Sequence, residues 1–228
     1  MIVLAIETAT EACSAALYQD GAILERYQVA PREHNRLILP MLESLLAEAG
    51  IALGRVDAVA FGRGPGSFTG VRIAAGVAQG TAFALDLPVA PVSTLAALAD
   101  EAIAETGREY AFPCIDARMA EVYFAVYSRD GDGYPALAGE ERVLSPGQAD
   151  FSPAEGVGIG IGSGWVTYQA CLSGLAGGRL ASVLSGRFPR AGAVARLGAR
   201  IHALGTSVPA EQALPVYLRD DVARKPKP

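Results

Sequence analysis

The chain has 228 residues, a net charge of −5 and 51% hydrophobic residues. That length holds one large domain or two small ones with their own cores, and that hydrophobic content excludes a disordered chain. The acidic balance, with lysine confined to Lys225 and Lys227, argues against a broad nucleic-acid surface and removes any internal lysine for Schiff-base or phosphate chemistry. Cys13, Cys114 and Cys171 form no C-x-x-C pair. Their odd number and the absence of a signal peptide fit a reduced cytoplasm, with all three read as buried structural thiols. The most apolar stretch, Val71 to Val92, is broken by charges and prolines and does not span a membrane.

In chain order, Ile2–Ile6 is a continuous apolar run and reads as a central strand ending in Glu7-Thr8-Ala9-Thr10. Cys13–Tyr18 and Ala22–Val29 form a hairpin around Asp20-Gly21. His34–Ala49 reads as a helix stopped by Gly50, with one apolar stripe through Ile38, Leu42 and Leu45. His34 has no histidine at metal-pairing spacing and reads as a polar residue near a helix start. Val56–Phe61 is a buried strand, followed by Arg63-Gly64-Pro65-Gly66-Ser67-Phe68-Thr69-Gly70 and an alanine-rich helix over Ile73–Leu85.

Strand, glycine turn and helix is an arrangement that holds anions on backbone N–H groups. Gly64, Gly66, Ser67 and Thr69, with Glu7 and Thr8 at the first strand end, are the candidate anion or nucleotide site. The equal alternative is a tight turn whose own side chains cap the helix, Ser67 or Thr69 being the cap. The turn lacks the Gly-Lys-Ser/Thr of a P-loop and the spacing of a dinucleotide fingerprint. Small residues repeat every fourth position on two faces of this helix: Gly76, Gly80 and Ala84 on one, Gly70, Ala74, Ala78 and Ala82 on the other. Each face reads as internal packing or as a meeting surface for a second subunit. The interface set is Leu37, Met41, Leu45, Val71, Ala74, Ala75, Ala78 and Ala82.

Pro88–Val92 is the next strand, and Ser93 or Thr94 caps a helix running to about Glu105. The pattern then restarts. Phe112–Ile115 ends in Asp116 as the first strand ends in Glu7, Glu121–Tyr127 is a strand, and Asp130-Gly131 turns as Asp20-Gly21 does. The halves read as degenerate copies of one unit. Gly156–Trp165 reads as a strand with one bare face, its backbone close to a neighbour, and Trp165 as core. Ala191–Leu204 is the last sizeable helix, and the tail from Arg224 to Pro228 reads as mobile.

Five stretches together resemble the TsaB (YeaZ) family of bacterial tRNA threonylcarbamoyladenosine proteins. They are Leu4–Ser14, Arg32–His34 with Leu39–Met41, Gly62–Ile73, Ile115–Met119 with Glu121–Tyr123, and Pro215–Arg219. The resemblance implies an α/β, duplicated actin-like (sugar kinase/ribonuclease H-like) fold: two small α/β domains with mixed sheets, over 1–106 and 107–228, the C-terminal segment packing back on the first. It implies a non-catalytic partner of TsaD in a heterodimer, with TsaE joining the assembly, a homodimer when alone, and tRNA met only through the complex. It implies no tightly bound cofactor, with ATP or ADP possible at the partner complex. TsaD-like proteins carry metal-binding histidines in a segment that corresponds to Ser93–Leu98, where they would fall at Thr94 and Leu98; leucine cannot ligate a metal. Glu7 departs from the family's usual Asp. The rival readings are a nucleotide-binding enzyme with weak ATPase activity, or a metallopeptidase-like hydrolase acting alone. Direct tRNA binding is a weaker third.

Overall fold

The computed structural model describes residues 1–219; the expected mobile tail lies outside them. Strands β1 (Ile2–Glu7), β2 (Ala12–Gln19) and β3 (Ala22–Val29) form an antiparallel meander. Gln19 pairs with Ala22, so the loop is Asp20-Gly21 alone, and both take positive φ as a two-residue hairpin requires. Helix α1 (His34–Ala49) ends at Gly50 in the left-handed conformation. Strand β4 (Ala58–Gly62) pairs parallel with β1. Helix α2 covers Phe68–Leu85, starting five residues before the expected Ile73, and Ser67 rather than Thr69 caps it by accepting from the Gly70 amide. Strand β5 (Val89–Val92) pairs parallel with β4, giving the order β3-β2-β1-β4-β5.

Helix α3 (Thr94–Thr106), capped by Ser93, leads to β6 (Tyr110–Arg118). The expected strand Glu121–Tyr127 is two: β7 (Glu121–Phe124) pairs with the outer part of β6, and β8 (Tyr127–Arg129) pairs with its start and with β9 (Pro135–Leu137). A period-2 pattern runs unbroken through both, so the change of partner leaves no mark in the sequence. Strand β10 (Arg142–Leu144) flanks β7. Then follow β11 (Gly158–Gly162), the short helices α4 (Gly164–Thr167) and α5 (Gln169–Ala176), β12 (Leu180–Ser185) and α6 (Ala191–Ala203). The second sheet runs β10-β7-β6-β11-β12. Position for position this repeats the first: two antiparallel neighbours on one side of the central strand, two parallel strands on the other.

The helices exchange sheets. α6 packs on β1, β2 and β4, whereas α3 packs on β6 and β11, and the two touch between the sheets. Strand alternation explains why. Leu4, Ile6, Leu17, Val59 and Phe61 face α1 and α2, while Val3, Ala5, Ala16, Ala58, Ala60 and Ala90 face α6. The alanine face admits a helix at close range: a Cβ on Gly198 of α6 would stand 2.4 Å from that of Ala60. The bare face of β11 is filled likewise. Added Cβ atoms at Gly158 and Gly160 would meet Phe112 at 2.7 Å and Trp165 at 2.6 Å. Trp165 is fully buried and donates its indole N–H to the Phe112 carbonyl. Cys13 and Cys114 are buried; Cys171, on the outer side of α5, is exposed, which corrects the reading of three buried thiols.

Candidate functional site

The glycine turn is welded to the β1–β2 connection. The Ser67 amide donates to the Ala9 carbonyl at 2.7 Å, and the Thr8 hydroxyl donates to the Gly70 carbonyl at 2.7 Å. A Cβ on Gly70 would fall 2.0 Å from the Thr8 oxygen, and one on Gly66 2.4 Å from that of Ala9. Gly64, at φ +99°, leaves room for the Val216 carbonyl. These glycines therefore serve close approach of the chain to itself.

Glu7 has no exposed surface and accepts from the Ala9 amide at 2.6 Å and the Thr94 hydroxyl at 3.3 Å. Burial pushes its carboxyl up to about 7. Thr8 is equally buried. Neither reaches an open surface, so the expected anion set comes apart. Only Gly66 and Ser67 line a cleft; Gly64 is buried against the C-terminal segment, and Thr69 is exposed on α2.

That cleft, about 600 Å³, opens between the two sheets' hairpin tips. Thr10 and Glu11 form one wall, Asp116, Arg118 and Met119 the opposite one, and Tyr217 to Arg219 the floor's edge. Arg118 bridges it to Glu11 at 2.7 Å. Arg219 pairs with Glu121 and donates to the Ala117 carbonyl. His34 is buried, with Nε2 2.9 Å from the Thr10 carbonyl oxygen. The Thr10 hydroxyl and Arg219 Nε have no partner among the described residues. Sequence reasoning missed these residues as a group because they come from five separated segments. Their only linear trace is that most fall in the stretches Leu4–Ser14, Ile115–Met119 with Glu121–Tyr123, and Pro215–Arg219.

The expected interface set is also corrected. Leu45, Ala74, Ala75, Ala78 and Ala82 are buried in the core between α1, α2 and the first sheet, and Val71 is buried beside Gly64 of the glycine turn. Leu37 and Met41 are only partly buried at its edge. The alanine face is the inward one because Leu4, Ile6, Val59 and Phe61 already present bulky side chains there, and small partners fit against them. The outward face of α2 carries the other repeat. Gly76 and Gly80 have nothing within 4 Å of an added Cβ, and Phe83 is 83% exposed. Leu39 on α1 is 52% exposed. Arg72, Phe68 and Tyr217 stand at the N-terminal end of this face, where it meets the cleft.

At the positions matched to TsaD's histidines, the Thr94 hydroxyl is engaged by Glu7 and Leu98 lies in the core between α3 and the second sheet. Among the described residues no three His, Cys, Asp or Glu side chains cluster for a metal, and no helix is long and apolar enough to cross a membrane.

Residues 25–160 match the family model of TsaD, tRNA N6-adenosine threonylcarbamoyltransferase. The tRNA threonylcarbamoyladenosine biosynthesis protein TsaB of Escherichia coli is 40% identical, over 100% of this chain and 99% of its own. That of Haemophilus influenzae is 39% identical, over 100% and 98%. The solved structure of YeaZ from Pseudomonas aeruginosa superposes with a TM-score of 0.87 at 47% identity, covering 95% of this chain and 99% of that one.

Proposed function

The chain belongs to the TsaB family of tRNA threonylcarbamoyladenosine biosynthesis proteins, and from that premise we propose that it is a non-catalytic subunit that docks on TsaD through the outer faces of α1 and α2. TsaE joins the pair, and the assembly transfers threonylcarbamoyl to the adenosine next to the tRNA anticodon. The observation that carries this reading is the exposed face of α2. Gly76, Gly80 and Phe83 are open to solvent with Ile73 and Val77 half-buried beside them, an apolar strip that no element of the chain covers among the described residues. Glycines on a helix surface let a second helix approach closely, and Phe83 supplies an anchor. A stable interface here buries about 1,200–2,000 Å². Without TsaD, a second copy of the chain occupies the same face.

The non-catalytic reading is supported by Thr94 and Leu98, whose side chains serve the fold rather than a metal. Nucleotide belongs to the assembled complex: Arg118 and Arg219, two of the cleft's arginines, are tied to Glu11 and Glu121, so the isolated chain holds ATP or ADP weakly. Contact with tRNA comes through the partner.

The test is a reconstituted modification assay with TsaC, TsaD, TsaE, tRNA, threonine, bicarbonate and ATP. Modified adenosine is expected only when this chain is added. Gly80→Arg, which places a charge on the open face, is expected to abolish both co-elution with TsaD and the stimulation. Equal modification without the chain overturns the proposal.

A further inference from the structure

We propose that Arg72 is the polar anchor of this docking face, receiving a carboxylate from the protein that closes over α1 and α2. The inference rests on the docking reading and adds the chemistry of the contact.

The Arg72 guanidinium carbon lies 3.5 Å from the Phe68 ring centroid and 5.6 Å from that of Tyr217. Its Nε donates to the Tyr217 hydroxyl at 2.9 Å. One donor and one face are thus used to hold the group still, and the paired N–H fork of the two terminal nitrogens makes no bond among the described residues. A planar fork held in advance loses little freedom when it meets a carboxylate.

The other guanidinium–ring stacks show what such a fork does elsewhere in this chain. Arg190 stacks on Tyr27 and pairs with Glu25. Arg196 stacks on Tyr134 and pairs with Asp100, and Arg200 shares the same ring and pairs with Asp130. Arg72 is the one stacked arginine with no acidic partner among the described residues.

Position supplies the rest. Arg72 precedes Gly76 by four residues and Gly80 by eight, so all three lie on one side of α2. A protein that covers Gly76 also covers Arg72. Desolvating a guanidinium with no acidic partner among the described residues is costly, so a partner that binds this face must bring an opposite charge. The strip beside it is apolar and the chain is acidic, which favours an Asp or Glu side chain among apolar neighbours over a phosphate backbone.

The experiment is calorimetric titration of TsaD from the same genome with the wild-type chain, Arg72→Gln, Arg72→Lys and Gly76→Arg, each checked for an unchanged melting temperature. Arg72→Gln is expected to weaken binding about 10–100-fold, with Arg72→Lys between it and wild type. Wild-type affinity should fall more steeply with salt than that of Arg72→Gln. Tyr217→Phe, which frees the fork without removing charge, should weaken binding less than Arg72→Gln. If Gly76→Arg blocks binding and Arg72→Gln binds as wild type, the anchor is overturned and the docking face stands. If neither variant matters, the docking reading falls and takes the anchor with it. If Arg72→Gln spares TsaD binding but lowers retention of tRNA by the complex, Arg72 serves nucleic acid and the inference is overturned.

Discussion

Glu7 sits behind the glycine turn with its carboxyl held up to about 7 by burial, although the Ala9 and Thr8 amides and the Thr94 hydroxyl favour the charged form. Glu101, beside the start of α6, is raised to about 8 by burial despite Arg190 next to it. A carboxyl that binds its proton more tightly when folded stabilises the fold below the unfolded value of 4.5, and that stability is lost as pH rises through the folded value. The window is therefore from about 4.5 to 8, and Glu7 alone accounts for on the order of 3 kcal/mol across its part of it. Thermal melts followed by circular dichroism should show a falling melting temperature from pH 5 to pH 8, and Glu7→Gln should flatten much of the slope. A Glu7→Gln chain that melts in parallel with wild type at every pH would mean that Glu7 is ionised throughout. The glycines next to it give a second residue-scale expectation. Gly70→Ala drives a methyl to 2.0 Å from the Thr8 oxygen, so it should cost about 2–3 kcal/mol in urea unfolding. A cost under about 0.5 kcal/mol would show that the turn yields easily.

Helix α2 has two small-residue faces with opposite fates. Ala78 lies against the core with no exposed surface, so Ala78→Arg should yield insoluble or unfolded chain rather than a folded monomer. Gly76 faces open space at ordinary helical φ. Gly76→Ala should raise the stability of the isolated chain by about 0.5–1 kcal/mol, because glycine is a poor helix former and nothing obstructs the new methyl. Denaturant melts of the monomer measure it, and a loss of stability would place Gly76 against something within the chain. The periodicity exposes both faces equally well in sequence. It does not say which one meets the sheet, since alanine and glycine are small enough for either side.

Across the whole molecule, the five-stranded first sheet and the seven-stranded second sheet are covered crosswise by α6 and α3. The first sheet's alanine face depends on Ala191, Val194, Ala195 and Leu197 of α6, which lie beyond the repeat boundary. Ion pairs reinforce the exchange: Asp100 of α3 holds Arg196 of α6, and Glu25 of β3 holds Arg190. Residues 1–106 expressed alone should therefore lack a dispersed amide spectrum, and adding the remainder of the chain in trans should restore it. A well-dispersed spectrum from 1–106 alone would show that the first sheet does not need α6.

The elements and their doubling are legible in the amino-acid order alone. Apolar runs, the Asp-Gly turns at 20–21 and 130–131, and the strand ends at Glu7 and Asp116 report local backbone preferences, which are written locally. That order also carries the family, through the turn from Gly64 to Gly70 and the stretches around it. Long-range packing settles which side of α2 is free, that Glu7 and Thr8 are sealed in, and that Arg118, Arg219 and Thr10 share a cleft. It also settles that α6 belongs to the first sheet. Each of these depends on contacts between residues far apart in the chain, and hydrophobic period marks a buried face without naming the surface that buries it.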